Sequence, residues 1–296
     1  MKPDKKVLIT GGSGFIGQHI AKKFFDSGYD VTIFDIMKPT LDKLKTAYMR
    51  GDVSDNEKID EVVKNHDVVI HLVGLADAGI AQKDPMKSFE LNMLSLQNVL
   101  EACRRSGGKK LIFPSSAAVY GITEDLPVKE SFPLNPTNMY SWYKYLCEKL
   151  IKAYHDNYGI DYVVLRLFNV YGTSHKGVIE IFLEKAKKGE TIESFGPYQY
   201  RDFVYAGDVA AAMYQAAIYE KVNNRIVNIG SGRGVQIREL LDLVCKIYPK
   251  AKWVETRAKF TAYDSIADIT LAKILLDFKP HDTFKFMEEV IKEEMM

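Results

Sequence analysis

Short apolar runs alternate along this chain with longer stretches whose apolar positions recur every three or four residues. Residues 7–9, 31–34, 68–72, 110–113 and 162–167 are dominated by valine, isoleucine, leucine and aromatic side chains. Such runs are the pattern of parallel strands covered on both faces. Between them lie amphipathic helical patterns. The clearest opens at Asp84-Pro85, a capping carboxylate followed by a residue of fixed φ. Its apolar positions are Phe89, Met93, Leu96, Val99 and Leu100, and Gly107-Gly108 ends it. Alternating strand and helix predicts the α/β class, with a doubly wound parallel sheet.

After about residue 170 the rhythm changes. A helix is expected near residues 178–188, ended by Gly189, and residues 225–229 read as a strand returning to the sheet. The tail, residues 231–296, reads as short helices and loops. The expected organisation is a large domain over 1–170 with a returning segment near 199–230. A smaller C-terminal α/β substrate domain then takes 171–198 and 231–296.

Chemistry enters at the end of the first strand. Thr10-Gly11-Gly12-Ser13-Gly14-Phe15-Ile16-Gly17 follows that strand and opens a helix, the setting in which a glycine-rich motif cradles a dinucleotide. Gly11 permits a tight turn, Gly14 lets a pyrophosphate approach the helix N-terminus, and Gly17 allows close helix packing. The glycines are spaced three and three. Asp35 closes the second strand, 18 residues beyond Gly17. A carboxylate there accepts both hydrogens of a ribose diol and repels a 2′-phosphate, which favours NAD over NADP. Asp52-Val53, after the expected third strand, reads equally as an adenine contact and as an ordinary turn.

A second constellation lies near the middle of the chain. Tyr140 and Lys144 are four apart and share one face of a helix. A lysine cation beside a phenol favours the phenolate, a base able to take a proton from a sugar hydroxyl. Tyr145 with Lys149 and Tyr248 with Lys252 have the same spacing, so position must decide. Tyr140 alone follows a proline-bearing loop (Pro133, Pro136) after the serine-rich strand end Pro114-Ser115-Ser116-Ala117-Ala118. A serine there can hydrogen-bond a substrate hydroxyl next to the phenol.

Composition narrows the partners. Forty basic residues nearly balance 39 acidic ones over 296 residues, so a nucleic-acid partner is not expected. No apolar run approaches a membrane span of ~20 residues. Three scattered cysteines and six dispersed histidines predict neither a disulfide framework nor a metal site. A cytoplasmic setting is expected.

These motifs resemble the NAD-dependent epimerase/dehydratase family, the extended short-chain dehydrogenases, along nearly the whole chain. The likeness includes the glycine motif, His71-Leu72, Asn92, Ser115 through Gly121, Tyr140 with Lys144, residues 165–172, Arg201-Asp202-Phe203-Val204 and residues 228–232. The resemblance implies a Rossmann-type cofactor domain and a catalytic triad of Ser116, Tyr140 and Lys144. It implies NAD contacts at Gly11, Gly14, Phe15, Ile16, Gly17, Asp35, Asp52, Val53, Leu72, Tyr140, Lys144 and Phe168. Ser116, Asn169 and Arg201 are implied substrate contacts, with Arg201 facing a diphosphate. From its residue type alone, Arg201 reads equally as a surface ion pair with Asp202. Dehydrating and decarboxylating members usually carry acids where this chain has Ala117 and Ala118. The implied activity is therefore nucleotide-sugar epimerisation, most simply at sugar carbon 4. An NAD(P)H-linked keto-sugar reductase and a catalytically silent NAD-binding regulatory protein are the rivals. Relatives usually dimerise through the helices that start near Pro85 and Tyr140, which implies a homodimer. The chain departs from the family in a short stretch at residues 173–176, a shortened loop before Arg201, and Glu180 in place of proline. It also lacks a second phosphate-binding arginine near Tyr263, for which Arg257 is the substitute candidate.

Overall fold

Strand-forming runs become a seven-stranded, wholly parallel sheet in the computed structural model, which describes residues 5–40, 46–172, 177–256 and 263–293. In chain order the strands are β1 (Lys6–Thr10), β2 (Asp30–Asp35), β3 (Ala47–Arg50), β4 (Val68–His71), β5 (Lys110–Ser116), β6 (Tyr162–Leu167), β7 (Asn169–Tyr171), β8 (Thr191–Phe195), β9 (Tyr200–Tyr205), β10 (Arg225–Ile229), β11 (Gly234–Gln236) and β12 (Lys252–Thr256). The large sheet runs β10-β6-β5-β4-β1-β2-β3. The order reverses beside β1, where chain direction places the ends of β1 and β4 at one edge. Such a switch point leaves a crevice at the carboxyl ends of the strands.

The described helices are α1 (Phe15–Asp26), α2 (Asn56–Lys64), α3 (Ala78–Lys83), α4 (Pro85–Phe89), α5 (Ser95–Arg105), α6 (Met139–Tyr158), α7 (Val178–Lys187), α8 (Ala206–Ile218), α9 (Ile237–Ile247), α10 (Thr270–Leu276) and α11 (Thr283–Glu293). The period-2 pleat of β1 sends Val7 and Ile9 to one side of the sheet and Leu8 to the other. Val7 and Ile9 pack with Ile20 and Phe24 of α1 and Val209 and Met213 of α8. Leu8 packs with Val62 of α2, Leu96 and Leu100 of α5 and Ile151 of α6. Each such side chain, fully buried, contributes about 1.5–3 kcal/mol.

Two smaller sheets follow. One is β11-β9-β7, the other β12-β8. They pack with α7, α9 and α11 around a separate cluster that includes Phe182, Phe203, Leu240, Leu241 and Met287. β10 returns to the large sheet beside β6. β9, by contrast, pairs with β7 and β11. The tail carries β11 and β12 as well as helices and loops.

The helical pattern from Pro85 is interrupted. α4 gives way to a π-helical turn, Glu90–Leu94, before α5 begins. Asp84 caps α4 as expected, its carboxylate accepting from the Lys87 N–H at 3.0 Å.

Candidate active site

The glycine loop joins β1 to α1. Gly11 has φ +72°, and a Cβ on it would lie 2.8 Å from the Val73 nitrogen. A Cβ on Gly17 would lie 2.7 Å from the Gly12 backbone. Both positions therefore exclude a side chain. Gly14 is the N-cap of α1, and the first-turn N–H groups of a helix have no intrahelical acceptors. A cavity of about 330 Å³ opens over this loop. It is lined by Gly11, Gly14, Phe15, Ile16, Gly17, Leu72 and Phe168, and by Ser116, Tyr140 and Lys144.

A neighbouring cavity of about 310 Å³ shares Gly11, Gly14 and Leu72, and continues to Asp35, Asp52 and Val53. The Asp35 carboxylate accepts from the N–H groups of Ser13 and Met37, both at 3.0 Å. One bond falls on each oxygen, so each keeps a lone pair for a diol. Asp52 accepts from the Ser54 N–H at 2.9 Å, a turn contact, while also lining the cavity.

Beyond the phenol lies a third cavity, of about 110 Å³, lined by Ser116, Ala117, Ala118, Asn169, Arg201 and Tyr263. Asn169 donates to the Asp202 carbonyl at 3.0 Å, tying β7 to β9. Arg201 donates to the Tyr263 carbonyl and, at 2.8 Å, to Gln199 Oε1, and its guanidinium lies 4.8 Å from the Tyr263 ring centre. Burial lowers its pKa. Asp202 does not pair with it. That carboxylate is buried and accepts from the Ser231 hydroxyl at 2.7 Å and from the N–H groups of Ser231, Gly232 and Ala267. A larger, open cavity of about 800 Å³, lined in part by Arg233, Lys273 and Lys279, contains none of the candidate residues. Residues 173–176 and Arg257 lie outside the described residues.

Tyr140 and Lys144 sit on α6, whose start is fixed by a reciprocal cap. Asn138 Oδ1 accepts from the Ser141 N–H at 3.0 Å, and Ser141 Oγ accepts from the Asn138 N–H at 3.1 Å. Ser116 is the last residue of β5 and lines the same cavity as Tyr140. Burial pushes the Tyr140 phenol up, with the Ser116 hydroxyl opposing. Burial also lowers the Lys144 ammonium. Lys144 Nζ donates to the Pro114 carbonyl at 2.9 Å. The rival pairs stay apart: Lys149 lies over the Tyr145 ring, and Tyr248 is the C-cap of α9.

Two features went unread in the sequence, and a third was marked only by resemblance. Gly74 lines both cofactor-sized cavities, and a Cβ there would meet Asn92 Oδ1 at 2.8 Å. Glu148, one turn past Lys144, forms a buried ion pair with Arg166 at 2.7 Å. The spacing from Lys144 to Glu148 was the available signal. Asn92, marked by resemblance, is buried in the π turn beneath the cavity, its Oδ1 without a partner.

A family model described as the NAD dependent epimerase/dehydratase family matches residues 7–230. The chain belongs to that family. A relative from Methanocaldococcus jannaschii, provisionally named a UDP-glucose 4-epimerase, is 35% identical, with 97% of this chain and 95% of the relative covered. The UDP-glucose 4-epimerase of Thermus thermophilus, solved in complex with NAD, is 31% identical with a TM-score of 0.83, covering 97% of this chain and 96% of that one. A UDP-N-acetylglucosamine 4-epimerase of Methanobrevibacter ruminantium M1, solved with UDP-N-acetylmuramic acid, is 31% identical with a TM-score of 0.88, covering 99% and 97%.

Proposed function

We propose that this chain is an NAD-dependent nucleotide-sugar 4-epimerase acting on UDP-sugars. One observation carries the reading: Ser116, Tyr140 and Lys144 line one cavity with the glycine loop, and Ser116 also lines the small cavity that holds Asn169 and Arg201. The residues fit NAD. The backbone of Gly11 and Gly14 lines the cavity at the N-terminus of α1, where a pyrophosphate would sit, and Asp35 has a free lone pair on each oxygen. Asp52 and Val53 border the adenine end, with Leu72 and Phe168 nearer the nicotinamide. Bound NAD supplies a reversible hydride acceptor for a sugar carbon.

The chain's own residues then handle the proton. Ser116 orients a sugar hydroxyl toward the Tyr140 phenol. Burial, with Cys147, pushes that phenol up; the positive nicotinamide ring of a bound cofactor and the Lys144 ammonium would offset this and let Tyr140 act as base. The same phenol returns the proton when the sugar has turned over. Arg201 and Asn169 bind the diphosphate end, Arg201 by a charge-assisted bond. Ala117 and Ala118 place no acid beside the sugar, which supports epimerisation over dehydration.

Three further readings accompany this one. The chain divides into a cofactor domain, 1–170 with the return near 199–230, and a substrate domain, 171–198 and 231–296; the separate core cluster around Leu240 and Met287 supports that division, although Phe203 of the returning segment packs into that cluster too. The chain works as a homodimer, supported by the exposed apolar side chains of Met86, Leu94, Trp142 and Leu146. It works in the cytoplasm, supported by three free cysteines, and fractionation of the source cells checks this. The activity itself is tested by incubating UDP-, GDP-, CDP- and dTDP-sugars with the protein and trace NAD. An epimer of a UDP-sugar without net NADH is expected. Stoichiometric NADH would favour the reductase rival, and no conversion at all the silent one.

A further inference from the structure

Lys144 has a carboxylate one helical turn beyond it, and yet no ion pair joins the two. Lys144 and Glu148 are four apart on α6 and both are buried. Side chains so spaced share a face, and an ammonium and a carboxylate attract strongly away from water. Glu148 is instead fully engaged elsewhere. Its Oε1 accepts from the Ser115 hydroxyl at 2.5 Å and from Arg166 Nε at 3.0 Å, and its Oε2 accepts from Arg166 Nη2 at 2.7 Å.

Arg166 is anchored in turn. Its Nη1 donates to the Tyr120 hydroxyl at 2.9 Å and to the Glu130 carbonyl at 3.3 Å. The Tyr120 hydroxyl donates to Asn228 Oδ1 at 2.7 Å, and the Glu130 carboxylate accepts from the Asn228 N–H at 2.9 Å. The guanidinium therefore cannot follow Glu148 toward the cleft. Lys144 Nζ is left on the Pro114 carbonyl, 4.6 Å from the Phe113 ring centre, at the cavity that Tyr140 and Ser116 share.

We propose that Arg166 and Ser115 are positioning residues that hold Glu148 off Lys144, so that the Lys144 ammonium stays turned into the cleft with a negative charge behind it. The other titratable groups around Lys144 are Tyr140 and Cys147 on α6 and His71 on β4. Glu148 and Cys147 raise the Lys144 pKa against burial, and His71 is neutral in the fold. The value of a free ammonium at this point rests on the proposed function. The restraint on Glu148 does not, and the test separates the two.

The variants are Arg166→Met, Glu148→Gln and the Glu148→Gln/Arg166→Met double. Two readouts are taken at a series of pH values. One is the dissociation constant for NAD by calorimetry. The other is trace acetic-anhydride labelling of Lys144 in ligand-free protein, read by peptide mass spectrometry. Arg166→Met frees Glu148 to capture Lys144. The labelling midpoint then rises on the order of one pH unit, and NAD affinity falls roughly tenfold through loss of a charge-assisted bond. In the double variant no carboxylate remains, and NAD affinity returns toward the wild-type value. A purely structural role predicts the reverse order, because two changes would then harm more than one. The inference is overturned if Arg166→Met titrates like wild type, or if the double binds NAD as weakly as the single. Should Arg166→Met fail to fold, Glu148→Gln decides alone: the labelling midpoint must fall on the order of one pH unit, and an unchanged midpoint overturns the proposal. Absence of NAD binding by the wild type would sink the proposed function, while the labelling arm still decides this one.

Discussion

Tyr140 and His71 show how one burial effect serves two ends. The Tyr140 phenol lines the cavity over the glycine loop, where the Ser116 hydroxyl acts to lower its pKa against burial. Tyr140→Phe is expected to lower epimerase turnover by roughly 10²–10⁴-fold while NAD affinity, measured by calorimetry, stays near wild type. Full turnover in that variant would remove the mechanism. His71 is buried beneath the same site, with Nδ1 2.8 Å from the Thr10 hydroxyl. Burial, aided by Lys144, lowers its imidazole from 6.5 to about 3. As pH falls, the unfolded chain takes up that proton first. The contribution is therefore present above about 6.5 and is lost progressively toward pH 3. Asp202 acts in the opposite sense. Burial raises it from 3.8 to about 6, so the native chain holds its proton longer and its ionisation costs stability as pH rises through that window. Against wild type, His71→Asn should make stability rise less steeply with pH between about 4 and 6, and Asp202→Asn more steeply. The difference in each case is at most about 1.4 kcal/mol per pH unit. Urea midpoints at several pH values check this, and slopes unchanged from wild type would contradict it.

At the scale of elements, α6 carries Tyr140 and Lys144 on a helix whose first turn is fixed. Asn138 caps it two residues before Tyr140. Asn138→Ala should cost about 1 kcal/mol of stability and lower turnover as well, because the cap sets where the phenol stands. Urea unfolding and initial rates measure both effects, and a stability loss with unchanged turnover would count against the positioning role. The same element shows what sequence pattern can reveal. Glycine spacing, a strand before it and a helix after it located the tight loop over which the cavity opens, since only glycine tolerates the positive φ of Gly11 and the contact at Gly17. The position of Tyr140 after the proline-bearing loop singled it out from Tyr145 and Tyr248. The π turn at Glu90–Leu94 was not legible, because one inserted residue per turn leaves apolar spacing nearly unchanged. Nor was β7, which follows β6 after Phe168 alone; nothing in its three residues announces that the chain changes sheet there. β11 is 3 residues long, too short for alternation to announce, and β12 has no fully buried position and so no apolar face to read. The Glu148–Arg166 pair joins residues 18 apart in sequence, and only tertiary packing reveals it.

Several exposed apolar side chains lie on two neighbouring helical stretches, the one from Pro85 and α6. Met86 is 67% exposed and Leu94 46%, and on α6 Trp142 is 44% and Leu146 41% exposed. Exposed apolar side chains clustered on neighbouring elements mark association surfaces. A second copy of the chain, related by a two-fold axis, would cover them. Light scattering should give a dimer mass, and Trp142→Glu with Leu146→Glu should give a monomer; a wild-type monomer would contradict the proposal. The cavities lined by Ser116, Tyr140 and Lys144, by contrast, are formed by residues of one chain, between the large sheet's carboxyl edge and β9, which carries Arg201. The central claim is that the sugar's own hydrogen leaves carbon 4 and comes back to it within that site. The most direct measurement follows a UDP-sugar deuterated at carbon 4 through turnover in ordinary water, with trace NAD, by NMR. The account predicts the 4-epimer with deuterium retained at carbon 4 and no net NADH. Epimer carrying solvent hydrogen at carbon 4, or no epimer from any UDP-sugar, would contradict it.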